Sequence, residues 1–573
     1  MSLLGSVALF LFPIIFVIYV WNTKSTKAYP LPPGPRKLPL VQNLFDMPRK
    51  GFVWLEYAEI SRKYNSDIIH LSALGNSIVV LNSAKLVSDL LEKRSSIYSS
   101  RPHAVMLREL MGWGDYLVFR LYDAGWKAQR KIISQAFPSD IGQFQPKLLT
   151  ATHDLLRSLR RTNDVAKDLH SWAALFTMDV VYGMHPGNTE SYHSYMVSAL
   201  KAVESIAHAG SPGAYYVDQV PICVYPFSFD AMAPSQLIHF FIQVKYIPEY
   251  FPGATFKRQA KEWNALRIRT TEEAFGVVKE RVVQGTASRS LTSAALEQIS
   301  QSDDVLEQEE HIKKASMTAF GGGIDTTVAA LEAFIAAMLM NPHVQKQAQL
   351  ELDKVLGPGD LPTFSDEPLL PYITAVVRET LRYQPVTPLG QLLSLLNPLL
   401  TGLIGGIPAA IPHALTQDDV YEGYFIPKGS VIIPNVWSIL HNDKDYPNPN
   451  QFNPSRFLDA RGKLDPDVKD PSSAAFGFGR RICVRVAQLL MNPPFAEPAQ
   501  YDQAGKHIAV ASIFIAIASI LACYVIEPEL DEHGKPVEPQ VEWDPAPTLL
   551  NRTLHLRCRF IPRSKEIKAS LRV

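Results

Sequence analysis

The run Ala475-Phe476-Gly477-Phe478-Gly479-Arg480-Arg481-Ile482-Cys483 restricts this chain more than any other stretch, because it sets two adjacent cations and a cysteine on a backbone punctuated by glycine. Glycines at 477 and 479 let the main chain turn sharply and come close to a flat ligand. Arg480 and Arg481 can pair with carboxylates, and cations beside a thiol favour its thiolate form. The loop therefore suits an anionic cofactor held through the sulfur of Cys483. The alternative is a surface turn that ends in a buried structural cysteine.

Lysine plus arginine equals aspartate plus glutamate at 56 each, so no overall field directs the chain toward nucleic acid or an anionic surface. With 573 residues and 47% hydrophobic content it can bury a large core. Cys223, Cys483, Cys523 and Cys558 are too scattered for a disulfide scaffold or a zinc site, and reduced thiols on the cytosolic side are the simpler expectation. Leu3 to Val20 carries no charge and as a helix would extend roughly 27 Å, close to the thickness of bilayer hydrocarbon. No cation precedes it and no small-residue cleavage site follows, which favours a retained anchor over a removable signal peptide. Lys24, Lys27, Arg36 and Lys37 follow it, so the positive-inside rule puts the body of the protein in the cytosol. Pro30-Leu31-Pro32-Pro33-Gly34-Pro35 makes a stiff spacer. The expected organisation is an anchor over 1–21, a basic and proline-rich hinge over 22–39, and one large domain over 40–573.

That domain reads as mainly α with a small β-sheet region. Ile68-Ile69-His70-Leu71 and Ile78-Val79-Val80-Leu81, separated by Gly75-Asn76, predict a β-hairpin, and Ser83 is placed to cap the helix that follows. Periodicity predicts helices over about 141–161, 168–182, 256–283, 309–340 and 343–356, with Asn341-Pro342 and Gly357-Pro358-Gly359 ending two of them. Three further motifs say little alone. Trp126 and Arg130 are four apart on a predicted helix, so they share a face. Gly321-Gly322-Gly323-Ile324-Asp325-Thr326-Thr327 puts three glycines inside an apolar helix, where each costs about 1 kcal/mol relative to alanine. Either a widened helix over a ligand or a close helix crossing, with Thr326 bonded back to the preceding turn, would account for them. Glu379 and Arg382 lie one helical turn apart, and Pro454-Ser455-Arg456-Phe457 follows downstream.

Taken with the cysteine loop, these motifs resemble the cytochrome P-450 monooxygenases, and the resemblance runs over nearly the whole chain from Pro30. It implies the fold of that family and haem b, with the iron ligated axially by Cys483 and Phe476 beside the cofactor. Trp126, Arg130, His413 and Arg481 would then hold the haem propionates, while Asp325 and Thr326 would relay protons to reduced dioxygen. Glu379, Arg382 and Arg456 would form a buried, mutually satisfied network behind the haem. The resemblance further implies a small apolar organic substrate, O2, an NADPH-dependent cytochrome P-450 reductase as partner, and a single-pass position in the endoplasmic reticulum membrane. The segments around Pro248 and Pro412 look like filamentous-fungal members of secondary metabolism. It also implies that the apolar stretch 508–526 is a core helix, not a second span. Asn551-Arg552-Thr553 spells a glycosylation sequon that a cytosolic domain would not present to the transferase.

Three segments interrupt the resemblance: 223–243, 391–410 and 484–503. The last falls between Cys483 and the helix that should follow it, and puts Arg485 where the family has glycine. Their similar lengths suggest one cause, retained introns, with genuine surface loops as the alternative. On that view the chain as written is a mis-spliced or catalytically impaired product of a monooxygenase gene.

Overall fold

The computed structural model describes residues 29–570 apart from 39–41, 49–50, 74–75, 137–141, 163, 188–191, 211–222, 225–240, 243–247, 251–253, 300–303, 390–411, 484–503 and 545–549. The expected anchor, and two of the three interrupting segments entirely, lie outside the described residues. The segment 223–243 is described only at its ends, where Cys223–Val224 and Phe241–Ile242 pair antiparallel.

Helices dominate, and the periodic stretches fold close to their expected bounds. After α1 (Val53–Tyr64) come α2 (Ala124–Ala136), α3 (Gln145–Leu159), α4 (Val165–Tyr182), α5 (Tyr192–Gly210), α6 (Thr255–Val283) and α7 (Leu291–Glu297). The long helix α8 (Val305–Met340) leads into α9 (Pro342–Val355), and α10 (Pro371–Tyr383) and α11 (Ala504–Cys523) complete the set that positions the site. The Asp304 side chain starts α8 by accepting from the amides of Leu306 and Glu307, which would otherwise lack partners in a first turn. From Thr327 to Leu339 every residue of α8 is buried, so this helix is the axis on which the others pack. The expected cap at Ser83 is not made: it precedes a short helix in extended conformation, without a side-chain bond to it.

A four-stranded sheet lies to one side of the helices, in the order β1 (Ile68–Ala73), β2 (Asn76–Leu81), β4 (Val431–Pro434), β3 (His413–Ala414). The predicted hairpin is its first pair, with Ile68 opposite Leu81. β2 and β4 run parallel and β3 pairs antiparallel to β4, with His413 opposite Ile432. That edge pairing is what carries His413 toward the helices. The apolar stretch 508–526 is the body of α11 and the start of β5 (Tyr524–Pro528), and Ala511 to Tyr524 are buried without exception. Its hydrophobicity therefore serves the protein core. The sequon Asn551 is also buried: its amide group donates to Gln384 Oε1 at 2.8 Å.

The polar network expected of Glu379, Arg382 and Arg456 is present. Glu379 accepts from Arg382 Nε (2.7 Å) and Nη2 (2.9 Å), from Arg456 Nε (3.2 Å) and from the Asn453 amide (2.8 Å). The remaining guanidinium hydrogens reach the carbonyls of Leu440, Gln451, Pro447 and Asn448. Glu379 and Arg382 have no solvent-exposed side-chain surface, so removing Glu379 leaves the buried Arg382 without its carboxylate. Glu379→Ala should lower unfolding stability by about 3–5 kcal/mol and release bound cofactor, measured by thermal melts with haem absorbance as a second readout. A loss below about 1 kcal/mol would show that the pair is dispensable.

Candidate active site

A cavity of about 400 Å³ lies between α2, α4, α8, α11, the edge of the sheet and the loop that ends in Cys483. Gly477 and Gly479 both adopt positive φ, +83° and +57°. At Gly479 any Cβ would strike the Leu91 carbonyl, so only glycine allows this close approach. The Cys483 amide donates to the Phe476 carbonyl at 2.8 Å, which folds the loop back on itself and sets Phe476, Gly477 and Cys483 on the cavity wall. Arg480 points outward, where it stacks on Tyr122 and bonds the Tyr122 hydroxyl and Ser95. Arg481 points inward.

Arg481 is anchored by three carbonyls, donating to Ser99 (2.7 Å), Leu117 (3.0 Å) and Arg120 (2.6 Å), and its plane lies over the Trp126 ring. Arg130, one turn beyond Trp126 on α2, lies over the same ring and donates to the Ile482 carbonyl at 2.6 Å. The shared face read from the sequence is therefore real. A third guanidinium joins them: Arg101, which donates to the carbonyls of Val118 (2.9 Å) and Pro412 (2.8 Å) and lines the cavity. Sequence reading assigned Arg101 no place in this site. The signal that could have found it is its pairing with the segment before His413, which no periodicity encodes.

Burial pushes the Arg481 guanidinium down to about 9, with Arg130 adding to the shift and Asp123 opposing it. Arg101 is pushed far below its usual range by burial and by Arg481. Like charges so gathered in a low dielectric call for an anion. The Trp126 indole Nε1 is buried without a hydrogen-bond partner and belongs to the same wall. Three guanidiniums and an orphaned N–H thus fit the paired carboxylates of a planar cofactor whose metal would face Cys483.

His413 is there as well, with a more specific electrostatic character than the sequence suggested. Its Nδ1 bonds the Tyr98 carbonyl at 2.8 Å, so Nδ1 must carry the hydrogen and a neutral ring leaves Nε2 as an acceptor. Burial, and then Arg101, push the imidazole down to about 3. A carboxylate can contact Nε2 only when that atom is protonated, so the guanidiniums carry most of the anion's charge.

Over the cavity runs the glycine-rich turn of α8. A Cβ at Gly321 would press on Val203 and one at Gly323 on Thr177, each at 3.1 Å, so these two glycines permit close crossings with α5 and α4. Gly322 has nothing within 4 Å of that position and opens the helix onto the cavity. The close-crossing explanation therefore accounts for Gly321 and Gly323, whereas the expected widening is not seen: the helix is regular α through the triplet, and Gly322 faces the cavity. Thr326 lines the cavity and donates back to the Gly322 carbonyl at 2.7 Å. Asp325 does not line it. Its carboxylate turns toward α4, 3.3 Å from His170 Nε2.

A mainly helical domain that presents a cysteine on a cationic loop beneath a glycine-opened helix has the architecture of a haem-thiolate oxygenase. A family profile described as Cytochrome P450 matches residues 32–394 and 403–491. Cytochrome P450 monooxygenase 98 of Postia placenta is 47% identical over 554 residues, covering 96% of this chain and 94% of that protein. Cytochrome P450 monooxygenase ple1 of Rhodocybe pseudopiperita is 36% identical over 561 residues (97% and 94%), and the tryptamine 4-monooxygenase of Psilocybe cyanescens 34% over 559 (97% of each). The chain belongs to the cytochrome P450 family: it is a haem-dependent monooxygenase that uses O2, an organic substrate and a redox partner.

The neutral state of His413 has a measurable consequence. Its value in the fold lies below the ordinary 6.5, so the unfolded chain takes up a proton that the folded cavity refuses. Stability contributed by this residue is present above pH 6.5 and is lost as pH falls toward about 3, by about 1.4 kcal/mol per pH unit. His413→Gln should flatten the acid limb of stability in cofactor-free protein by one proton, read from urea midpoints across that window. An unchanged slope would mean that the residue is already charged in the fold.

Proposed function

We propose that Cys483 is the thiolate ligand of the haem iron and that the protein is a membrane-anchored monooxygenase of fungal secondary metabolism, fed from NADPH by a separate reductase. The observation that carries the site assignment is the convergence of Arg101, Arg130, Arg481 and the unpartnered Trp126 N–H on the cavity wall that holds Cys483. Those groups bind and orient the cofactor carboxylates. Bound haem would supply the one-electron chemistry that activates dioxygen. The apolar run 3–20 supports an anchor in the endoplasmic reticulum membrane, single-pass with the domain in the cytosol.

The cavity wall supports a neutral, apolar substrate. Val118, Phe176, Val180, Val181, Ala319 and Val386 supply it with hydrocarbon. The hydroxyls of Thr177, Thr318, Thr326 and Thr327 each donate to the carbonyl four residues before them, so none has its hydrogen committed to the cavity. Tryptamine, named for one relative, would bring a charged amine, and no acidic side chain lines this cavity among the described residues. Thr326, on the cavity wall beside Gly322, would hold and deliver a proton at its hydroxyl, with Asp325 behind it.

A second reading concerns the three interrupting segments, which we propose are retained introns absent from the working enzyme. The family match breaks at 395–402 and ends at 491, inside two of the three. Leu389 and His413, which flank one, both line the cavity; so do Cys483 and Ile508, which flank another. The ends of the third are paired with each other. The flanks of two segments thus reach one cavity and the ends of the third meet, which favours excision without disrupting the site. Excision would also set Gly505 two residues after Cys483 and start α11 at the ligand, where helix N–H groups stabilise negative sulfur.

The ferrous carbon monoxide spectrum tests both readings. Cys483→Ala should abolish the red-shifted Soret band of thiolate-ligated haem, and Cys523→Ala, at the buried end of α11, should retain it. If both variants lose it alike, the ligand assignment is wrong. Excision of 223–243, 391–410 and 484–503 should raise haem loading over the full chain; stoichiometric thiolate haem in the full chain would instead show the loops to be genuine.

A further inference from the structure

Asp325 belongs to a cluster that spans three parts of the fold. Arg552, just ahead of the strand Thr553–His555, donates to Glu332 Oε1 at 2.8 Å and to Oε2 at 3.4 Å. Glu332 lies seven residues beyond Asp325 on α8 and is buried, and its pairing with Arg552 is close. A further hydrogen of Arg552 points at His170 Nε2, 3.1 Å away. The same nitrogen lies 3.3 Å from Asp325 Oδ1. Neither His170 nor Asp325 lines the cofactor cavity, and each side chain keeps 26% of its surface in solvent.

The other ring nitrogen decides how these contacts work. His170 Nδ1 is 2.8 Å from the Ala166 carbonyl, which can only accept, so Nδ1 carries hydrogen in both protonation states. A neutral ring then offers a lone pair at Nε2, matched to Arg552 and mismatched to the Asp325 carboxylate. A protonated ring offers an N–H at Nε2, matched to Asp325 and mismatched to Arg552. One atom faces a donor and an acceptor, and its proton chooses between them. Charge balance points the same way. Two carboxylates face one guanidinium: Glu332 bonds it directly, Asp325 acts on it through space, and His170 is the group within direct reach of the Asp325 carboxylate. Asp544 also acts on Arg552.

We propose that His170 is the proton donor to Asp325, switching its Nε2 partner from Asp325 to Arg552 as it gives the proton up. The proton passes from imidazolium Nε2 to the Asp325 carboxylate, and the neutral ring then accepts from Arg552. Solvent restores the proton through the exposed side of the ring. Asp325 passes it to the cavity side of α8, where Thr326 stands. The stoichiometry requires such a supply. Inserting one atom of O2 into a C–H bond releases the other as water, which consumes two electrons from the reductase and two protons. Arg552 blocks the return of the proton by holding the neutral form.

The proposal rests on the reading of Asp325 and Thr326 as the proton pair, and two measurements separate their failures. The first requires no turnover: nitrogen-15 NMR of histidine-labelled, haem-loaded protein, with His170 assigned by its absence from His170→Gln. A hydrogen-bonded Nε2 proton should appear on acidification and be lost in Asp325→Asn, while the Nδ1 proton persists throughout. The second measures product formed per NADPH consumed. His170→Gln keeps the size and polarity of the ring but cannot carry a proton, so it should divert electrons to hydrogen peroxide and remove the pH dependence of coupling. Thr326→Ala should uncouple at every pH. If Thr326→Ala uncouples and His170→Gln does not, His170 is structural and the proposal fails while the pair stands. If neither uncouples, the pair itself is wrong. An Nε2 proton signal indifferent to Asp325→Asn overturns the switch directly.

Discussion

Guanidinium groups gathered on one cavity wall are the constraint to which the rest of this structure answers. Arg101, Arg130 and Arg481 come from a loop, a helix and the cysteine loop, and each donates to main-chain carbonyls. In a low dielectric such a cluster is costly until an anion arrives. Cofactor binding is therefore part of the electrostatic completion of the fold. The cation loop and the Trp126 face present donors that one ligand with two carboxylates would satisfy together, while the neutral His413 beside them keeps an acceptor at Nε2.

Helix α8 resolves a conflict that its sequence advertises. Glycine weakens a helix, yet three lie in succession at its centre. Gly321 and Gly323 let α5 and α4 approach, and the burial gained there offsets the local loss of helix propensity. Gly322 opens the opposite aspect to the cavity. One turn of helix thus presents different chemistry on two sides, with Thr326 toward the cofactor space and Asp325 toward the charged cluster of His170, Arg552 and Glu332.

The Glu379 network shows how little a local pattern says until the fold closes on it. A glutamate and an arginine one turn apart arise by chance in many chains. Arg456, the Asn453 amide and four carbonyls turn this pair into a buried cluster with its principal hydrogen bonds made. Glu332 and Arg552 form a comparable pair from positions 220 residues apart, and for that reason no motif announced it.

Local chemistry was written in the sequence and long-range geometry was not. The turn glycines and cation pair of the cysteine loop, the shared face of Trp126 and Arg130, the hairpin and the long helices all follow from spacing, because each depends on contacts between residues close in the chain. The buried character of α11 could be argued from the resemblance but not from hydropathy, since a core helix and a membrane span present the same apolar run. Tertiary structure alone decided that Arg101 joins the anion site, that Arg480 faces out while Arg481 faces in, that His413 is held as a neutral acceptor, and that Asp325 turns from the cavity to His170. Each outcome depends on a carbonyl or charge delivered by a distant segment, and no period of 2 or 3.6 residues carries that information.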